Sequence, residues 1–149
     1  MGYIIRIKDA EPFLGMENNR LYAEWRVSPI ELKESPPFWH CVPICARSDS
    51  HKNYVDYSYG GRDKFIKSAG IYELFMNEEV GLMRNHPGCF LLERCHYLKI
   101  KAALEKMRAI VALNDYDNAF YPTLIQLTWF EWWIKWAIHA CRTPAIENG

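Results

Sequence analysis

Cysteine and histidine side chains occur close together at two places in this chain of 149 residues. The six side chains are His40, Cys41, Cys45, Cys89, Cys95 and His96. Structural zinc sites use tetrahedral sets of cysteine and histidine ligands, so these residues are candidates for a metal centre. However, three residues separate Cys41 from Cys45 and five separate Cys89 from Cys95, unlike the tight pairs of zinc knuckles. We therefore predict no metal and no cofactor, and keep a zinc site as an alternative.

A cysteine beside a histidine also suggests nucleophilic catalysis, because a nearby base assists attack by the thiolate. Cys41 directly follows His40 in a proline-rich segment and is the best candidate nucleophile. Adjacent side chains usually point apart, and the chain has no Gly-x-Ser-x-Gly elbow, Walker loop, Gly-x-Gly-x-x-Gly or His-Glu-x-x-His motif. These observations favour a protein that is not an enzyme, with a small Cys/His-dependent enzyme as an alternative.

Aromatic residues precede a glycine pair and an arginine in the middle of the chain. Tyr57, Tyr59 and Arg62 are the residues concerned, and Gly60 and Gly61 lie between the last two. Tyrosine rings can stack on a base, and an arginine at a helix N-terminus can hold a phosphate. The segment therefore predicts a nucleotide-binding or nucleotide-sequestering site, unless the tyrosines simply pack a strand against a helix.

Four tryptophans lie within eight residues near the end of the chain: Trp129, Trp132, Trp133 and Trp136. They fall in a predicted helix that begins at Pro122 and runs to about Cys141, since proline is favoured at the first helical position. Its polar residues share one narrow stripe: Thr128, Glu131, Lys135, His139 and Arg142. Such a stripe is typical of a helix that is buried around most of its circumference, and its charges argue against a membrane span. Glu131 and Lys135 have the spacing of a favourable ion pair.

The tryptophans can form the core, or some of them can contact a partner. Tryptophan is enriched among the residues that dominate binding energy at protein interfaces, and a small domain has little interior for four indoles. We therefore predict a binding surface formed by Trp129, Trp132, Trp133, Lys135 and Trp136. A homodimer through this helix would also hide the indoles, whereas an interfacial membrane helix would need more lysine and arginine.

The composition narrows the class of partner. The 18 Lys and Arg balance 18 Asp and Glu, so the formal net charge is zero. This argues against direct, non-specific nucleic-acid binding, which normally needs a basic surface, and also against an acidic DNA mimic. Five cysteines without a recognisable signal peptide predict reduced thiols and a cytoplasmic location, in the host cell if the chain is phage-encoded.

Apolar and polar residues alternate in the first part of the chain, as they do in half-buried strands. This pattern predicts strands over residues 3–8, 20–27 and 54–59. The proline-rich segment 28–52 predicts an irregular crossing with one short strand near 39–44.

Helical spacing follows over residues 62–75, where Gly70 is a point of possible division, and over 90–113. In the second of these helices, two sets of apolar residues predict the buried stripe: Leu91, Cys95, Leu98 and Ala102, continued by Ile100, Leu104, Met107 and Val111.

These elements predict a single domain of the α+β class over residues 1–149. A small N-terminal antiparallel sheet packs against two or three C-terminal helices, and the tryptophan-rich helix is central. Without a catalytic constellation, the expected function is a non-enzymatic module that binds a protein partner and inhibits it sterically. Phage- or mobile-element-encoded inhibitors of a host defence complex, and immunity-type proteins, are examples of this class.

Overall fold

The computed structural model of the protein describes residues 2–10, 16–17, 20–21, 27–29, 54–113 and 119–149. Within these ranges the strands are β1 (Gly2–Ala10), β2 (Met16–Glu17), β3 (Arg20–Leu21), β4 (Val27–Pro29), β5 (Tyr54–Ser58), β6 (Gly88–Leu91) and β7 (Pro144–Asn148). The helices are α1 (Tyr59–Ser68), α2 (Tyr72–Met76), α3 (Arg94–Leu113) and α4 (Tyr121–Ala140). The predicted α+β class is confirmed. Of the predicted second strand only the two ends are described, and of the predicted crossing over 28–52 only Ser28 and Pro29, in β4, are described.

All described strands join one antiparallel sheet, in the order β2-β3-β6-β7-β1-β4, with β5 also paired to β1. β1 lies inside the sheet, because β5 and β4 share one of its edges and β7 takes the other. Of the predicted second strand over 20–27, Val27 pairs with Ala10 of β1, whereas Arg20 and Leu21 pair with β2 and β6. The sheet also receives β6 and β7 from the second half of the chain, and the sequence patterns did not predict either strand.

One face of the sheet carries the core. Ile7 lies opposite Ile146, which lies opposite Phe90 on its other side, so three buried apolar side chains form a row across β1, β7 and β6. The opposite face carries an ion pair across β1 and β7, where Arg6 Nη1 and Glu147 Oε1 lie 3.4 Å apart. In β1, alternation places Ile5 and Ile7 in the core and Arg6 and Lys8 on the other face, as the pattern predicted.

The predicted helix over 62–75 is divided at Gly70, the position that the sequence marked. Gly70 has a φ of 72° and donates its N–H to the carbonyl of Lys67, while the N–H of Ile71 bonds to the carbonyl of Ile66. These two bonds form a Schellman motif, which ends a helix and favours glycine because the backbone turns left-handed. The chain then starts α2 in a new direction.

α3 begins four residues later than predicted, because Phe90 belongs to β6 rather than to a helix. The shift also changes part of the predicted stripe: Cys95, Leu98 and Ala102 are exposed, so their assignment to the core is wrong. The buried residues are His96, Ile100, Leu104 and Met107, which repeat at helical spacing. The second set of predicted core residues is therefore confirmed, with Val111 partly buried at its end.

α4 matches its predicted bounds to within one residue and supplies the centre of the core. The Phe130 ring lies 5.6 Å from Phe75 and 5.5 Å from Trp133, in edge-to-face arrangements that aromatic pairs favour. α4 packs on α3 and touches α1, where the hydroxyls of Ser68 and Thr123 lie 2.7 Å apart. The central position that the sequence predicted for this helix is therefore confirmed.

Replacing Trp133, which is fully buried, should test the core most severely. We expect Trp133→Ala to lower the free energy of unfolding by about 3–5 kcal/mol, because the removed ring leaves a cavity that the packed neighbours cannot fill. Urea unfolding measures this loss. Leu113→Ala is the control, since Leu113 is 86% exposed and should change stability by less than about 0.5 kcal/mol. Equal stability of both variants would contradict the assigned core.

Gly81 and Gly60 offer a second test of the packing, because an added Cβ has space at only one of them. A Cβ at Gly81 would lie 2.5 Å from the carbonyl oxygen of Phe75 and 2.6 Å from the Asn77 backbone, whereas a Cβ at Gly60 has open space. We expect Gly81→Ala to destabilise the protein by about 1–3 kcal/mol, because backbone must move. Gly60→Ala should instead stabilise α1 by about 0.4–1 kcal/mol. Thermal unfolding of both variants measures the difference, and the same sign for both would contradict it.

Candidate functional site

The four tryptophans of α4 divide into two pairs. Trp129 and Trp133 are 2% and 0% exposed, and their rings lie 4.8 Å apart within the core. Neither can contact a partner, so their predicted place in the binding surface is corrected to a place in the core. Trp132 and Trp136 are half-buried and pack against the outside of the core. The expected binding surface therefore narrows to this second pair with Lys135.

A cavity of about 370 Å³ lies along this outer side of α4 and is lined by Trp132, Lys135, Trp136, His139 and Ala140. We call it the tryptophan groove. Its first four residues follow the spacing i, i+3, i+4 and i+7, which places side chains on one face of a helix. His139 was predicted to lie in the polar stripe but not in the binding surface. That same spacing, applied to Trp132, would have found it.

The groove carries a basic rim. Lys135 and His139 line the groove and are exposed, and Arg142 is exposed two residues beyond the end of α4. His139 Nδ1 lies 2.7 Å from the Lys135 carbonyl oxygen. A carbonyl oxygen only accepts hydrogen bonds, so Nδ1 carries the proton and Nε2 remains an acceptor in the neutral ring. The groove thus combines two indole surfaces with the Lys135 ammonium and a histidine ring at its edge.

The predicted ion pair between Glu131 and Lys135 is not formed. Instead, the Tyr97 hydroxyl on α3 donates a hydrogen bond to Glu131 Oε1 at 2.7 Å. Burial first, and then the bond to Glu131, raises the pKa of Tyr97 to about 12. This contact fixes α3 against α4 one residue before Trp132. It also directs the acidic group of the stripe toward α3 and leaves the exposed edge basic.

Of the three residues predicted to form a nucleotide site, only Arg62 has a described side chain. Tyr57 lies in β5 and Tyr59 begins α1, and their side chains lie outside the described part of the structure. Arg62 is 4% exposed, and its Nε and Nη2 donate to Asp63 Oδ1 at 3.2 and 3.0 Å. A buried guanidinium that binds a neighbouring carboxylate cannot meet a phosphate at the surface. The role predicted for Arg62 is therefore corrected to a structural one.

The candidate zinc ligands are also only partly described. His40, Cys41 and Cys45 lie outside the described residues, so the candidate nucleophile is outside them too. Burial raises the pKa of Cys89 to about 12, which favours the neutral thiol over the thiolate that binds metals.

Within the described ranges, Glu93, Cys95 and His96 bring possible ligand atoms within 4.8 Å of one another. His96 Nδ1, however, accepts the Glu93 N–H at 2.8 Å, as the third residue of a helix does when it caps the N-terminus. This arrangement is better explained as a helix cap than as a metal centre.

No protein-family model matches the chain, and neither a curated protein nor a solved structure matches it. Among the described residues, no helix is both long enough and apolar enough to cross a membrane.

Removing the Tyr97 hydroxyl should test the contact that fixes α4. We expect Tyr97→Phe to lower stability by about 1.5–3 kcal/mol near pH 7, the range for a hydrogen bond to a charged group. The folded pKa of Tyr97 is raised, so its contribution is present below pH 10 and is lost as the pH rises toward 12. Urea unfolding at pH 8 and at pH 11 measures both effects. A difference between variant and parent that is unchanged at pH 11 would contradict the assignment.

Proposed function

We propose that the protein is a non-enzymatic binding module that inhibits a protein partner sterically, and that the tryptophan groove is its contact surface. The observation that carries the proposal is the half-buried pair Trp132 and Trp136 beside the exposed Lys135. Half-buried indoles keep contact area available to a partner while their packed edges hold them in place. Pre-organised aromatic anchors of this kind are enriched among the residues that dominate interface energy.

The size and charge of the groove indicate what the partner presents. A cavity of about 370 Å³ is at the small end of ligand pockets and suits one or two side chains of a partner. The exposed Lys135 ammonium on the rim favours a carboxylate around them. The proposed partner segment therefore combines an apolar side chain with neighbouring Asp or Glu residues.

The biological setting that fits such a module is a phage- or mobile-element-encoded inhibitor of a host defence complex, or an immunity-type protein, acting in the cytoplasm. Its effect would come from occupying a surface that the target needs, so it requires no chemistry of its own. The balanced charge supports recognition by shape and aromatic contact rather than by bulk electrostatic attraction.

Site-directed photo-crosslinking tests the proposed surface. A photo-reactive amino acid at position 139, at the edge of the groove, should crosslink one protein in stoichiometric amounts from a bacterial lysate. The matched control carries the same group at Lys101, an exposed position on α3 outside the groove. Trp132→Ala should weaken the isolated complex by about 30-fold or more, as expected when a residue worth about 2 kcal/mol is lost. Leu98→Ala, at another exposed apolar residue, should leave affinity within about twofold.

Light scattering of the purified protein distinguishes a partner from a second copy of this chain. A monomer that crosslinks only at position 139 supports the proposal. A dimer that Trp132→Ala dissociates would assign the groove to self-association. Equal crosslinking from positions 101 and 139 would contradict a defined surface.

A further inference from the structure

The first turn of α3 is closed by a reciprocal set of hydrogen bonds around Glu93. The Glu93 carbonyl accepts the N–H of His96 at 3.0 Å and that of Tyr97 at 3.3 Å. In return, the Glu93 N–H is donated to His96 Nδ1 at 2.8 Å. This is the arrangement of a capping box, with histidine at the position that glutamate or glutamine usually takes. We call it the histidine cap.

The histidine makes this cap depend on the protonation state of one ring. Nδ1 accepts a hydrogen bond only through its free lone pair, so the ring of the closed cap is neutral. A proton on Nδ1 would set two N–H donors against each other, that of the ring and that of Glu93. A glutamine at this position would offer an oxygen that remains an acceptor at every pH, so a capping box built on glutamine lacks this dependence.

The surroundings of the ring oppose its protonation. His96 is 9% exposed, and burial lowers its pKa from the ordinary 6.5; the Glu93 carboxylate raises the pKa and Lys99 lowers it, each by less than burial does. The positive end of the α3 dipole also disfavours an imidazolium in the first turn. Because the folded pKa is lowered, the contribution of the cap to stability is complete above pH 6.5 and is lost as the pH falls through the folded pKa.

Two described elements face this turn with acidic groups. Glu73 on α2 lines the same cavity as His96, a space of about 820 Å³ between α2 and α3. Glu131 on α4 accepts the Tyr97 hydroxyl at 2.7 Å. The exposed Lys99 lines that cavity as well, so solvent and its protons reach the ring while the helix is folded.

We propose that the histidine cap is a pH-dependent switch: a proton on His96 opens the first turn of α3 and releases the Tyr97 hydroxyl from Glu131. Tyr97 directly follows His96 and its N–H bonds to the same Glu93 carbonyl, so loss of the cap frees the turn that positions the tyrosine ring. Leu92 stays fixed, because it is 3% exposed and donates its N–H to a β7 carbonyl at 2.9 Å. The change is therefore confined to the first turn.

The released carboxylate finds a new partner in the tryptophan groove. Lys135 is exposed and lies four residues after Glu131, the spacing of a favourable ion pair. While Tyr97 holds Glu131, the Lys135 ammonium is available to a partner; once Glu131 is released, the two charges can pair along α4. The groove then presents its indoles to an acidic partner without that positive charge. This consequence rests on the proposed function, whereas the opening of the cap does not.

NMR of the purified protein tests the first step of the switch. The ring of His96 should carry its proton on Nε2 at pH 7.5 and gain a second one with a midpoint below 6.5, as histidine nitrogen shifts report. Across that midpoint, protection of the Glu93 amide against hydrogen exchange should fall by about tenfold, as expected when one hydrogen bond is lost. His96→Gln keeps an acceptor for this amide, so its protection should change by less than about twofold. His86→Gln, at an exposed histidine outside the cap, is the matched control and should behave as the parent does.

Fluorine NMR of the protein labelled with 5-fluorotryptophan follows the second step at Trp132. Acidification should shift the Trp132 signal with the midpoint of the His96 ring, and His96→Gln should not show this shift. Tyr97→Phe lacks the contact to Glu131 at every pH, so its Trp132 signal at pH 7.5 should already resemble that of the parent in acid. Both measurements are made without a partner, so their failure overturns the switch and leaves the crosslinking test to decide the proposed function.

Four results would overturn the proposal. The first two are a His96 ring that carries its proton on Nδ1 at pH 7.5, and a ring that stays neutral down to about pH 4.5, where carboxyl groups begin to titrate. The third is a protonated ring with unchanged protection of the Glu93 amide or an unchanged Trp132 signal. The fourth is an equal pH-dependent change in His96→Gln, which would assign the effect to another group.

Discussion

The arrangement of the molecule depends on the burial of one side of α4. Phe130 and Trp133 lie at the centre of the aromatic cluster, and Ile134 and Ala137 continue the buried side along the helix. Successive residues on a helix are about 100° apart, so Trp132 and Trp133 cannot point in the same direction. Phe130, Trp133, Ile134 and Ala137 set the buried side of the helix, and Trp132 and Trp136 fall at its margin, where they are half-buried. The tryptophan groove is therefore a direct consequence of how the core is packed.

The sheet fixes the C-terminal end of this helix. Asp9 at the end of β1 accepts the N–H of Thr143 at 2.7 Å, which holds the turn between α4 and β7. β7 then pairs with both β1 and β6 inside the sheet. Tyr97 and Glu131 join α3 to α4 from the other side. The groove residues near the C-terminal end of α4 are thus held by contacts from both layers of the fold, which keeps the indoles in place without a partner.

Sequence patterns predicted the elements whose periodicity is strong, and missed those that depend on distant pairing. The local sequence was enough to predict the alternation in β1, the bounds of α4 and the division at Gly70. β7 was not predicted, because Pro144 looks like a helix stop and five residues give little pattern; its place comes from pairing with β1, far away in sequence. The predicted start of α3 was wrong because of distant pairing too, since Phe90 pairs with Ile146 in the sheet. For the site, the sequence predicted that tryptophans on α4 are involved but not which of them are buried. Only packing decides which of the four indoles faces inward.

The division of the four indoles is the central claim, and fluorine NMR of the protein labelled with 5-fluorotryptophan tests it most directly. Single Trp→Phe substitutions assign the signals, and a soluble nitroxide broadens those that solvent can approach. The structure predicts strong broadening for Trp132 and Trp136 and little for Trp129 and Trp133, unchanged on dilution. Broadening of Trp133, or equal protection of all four at every concentration, would contradict it.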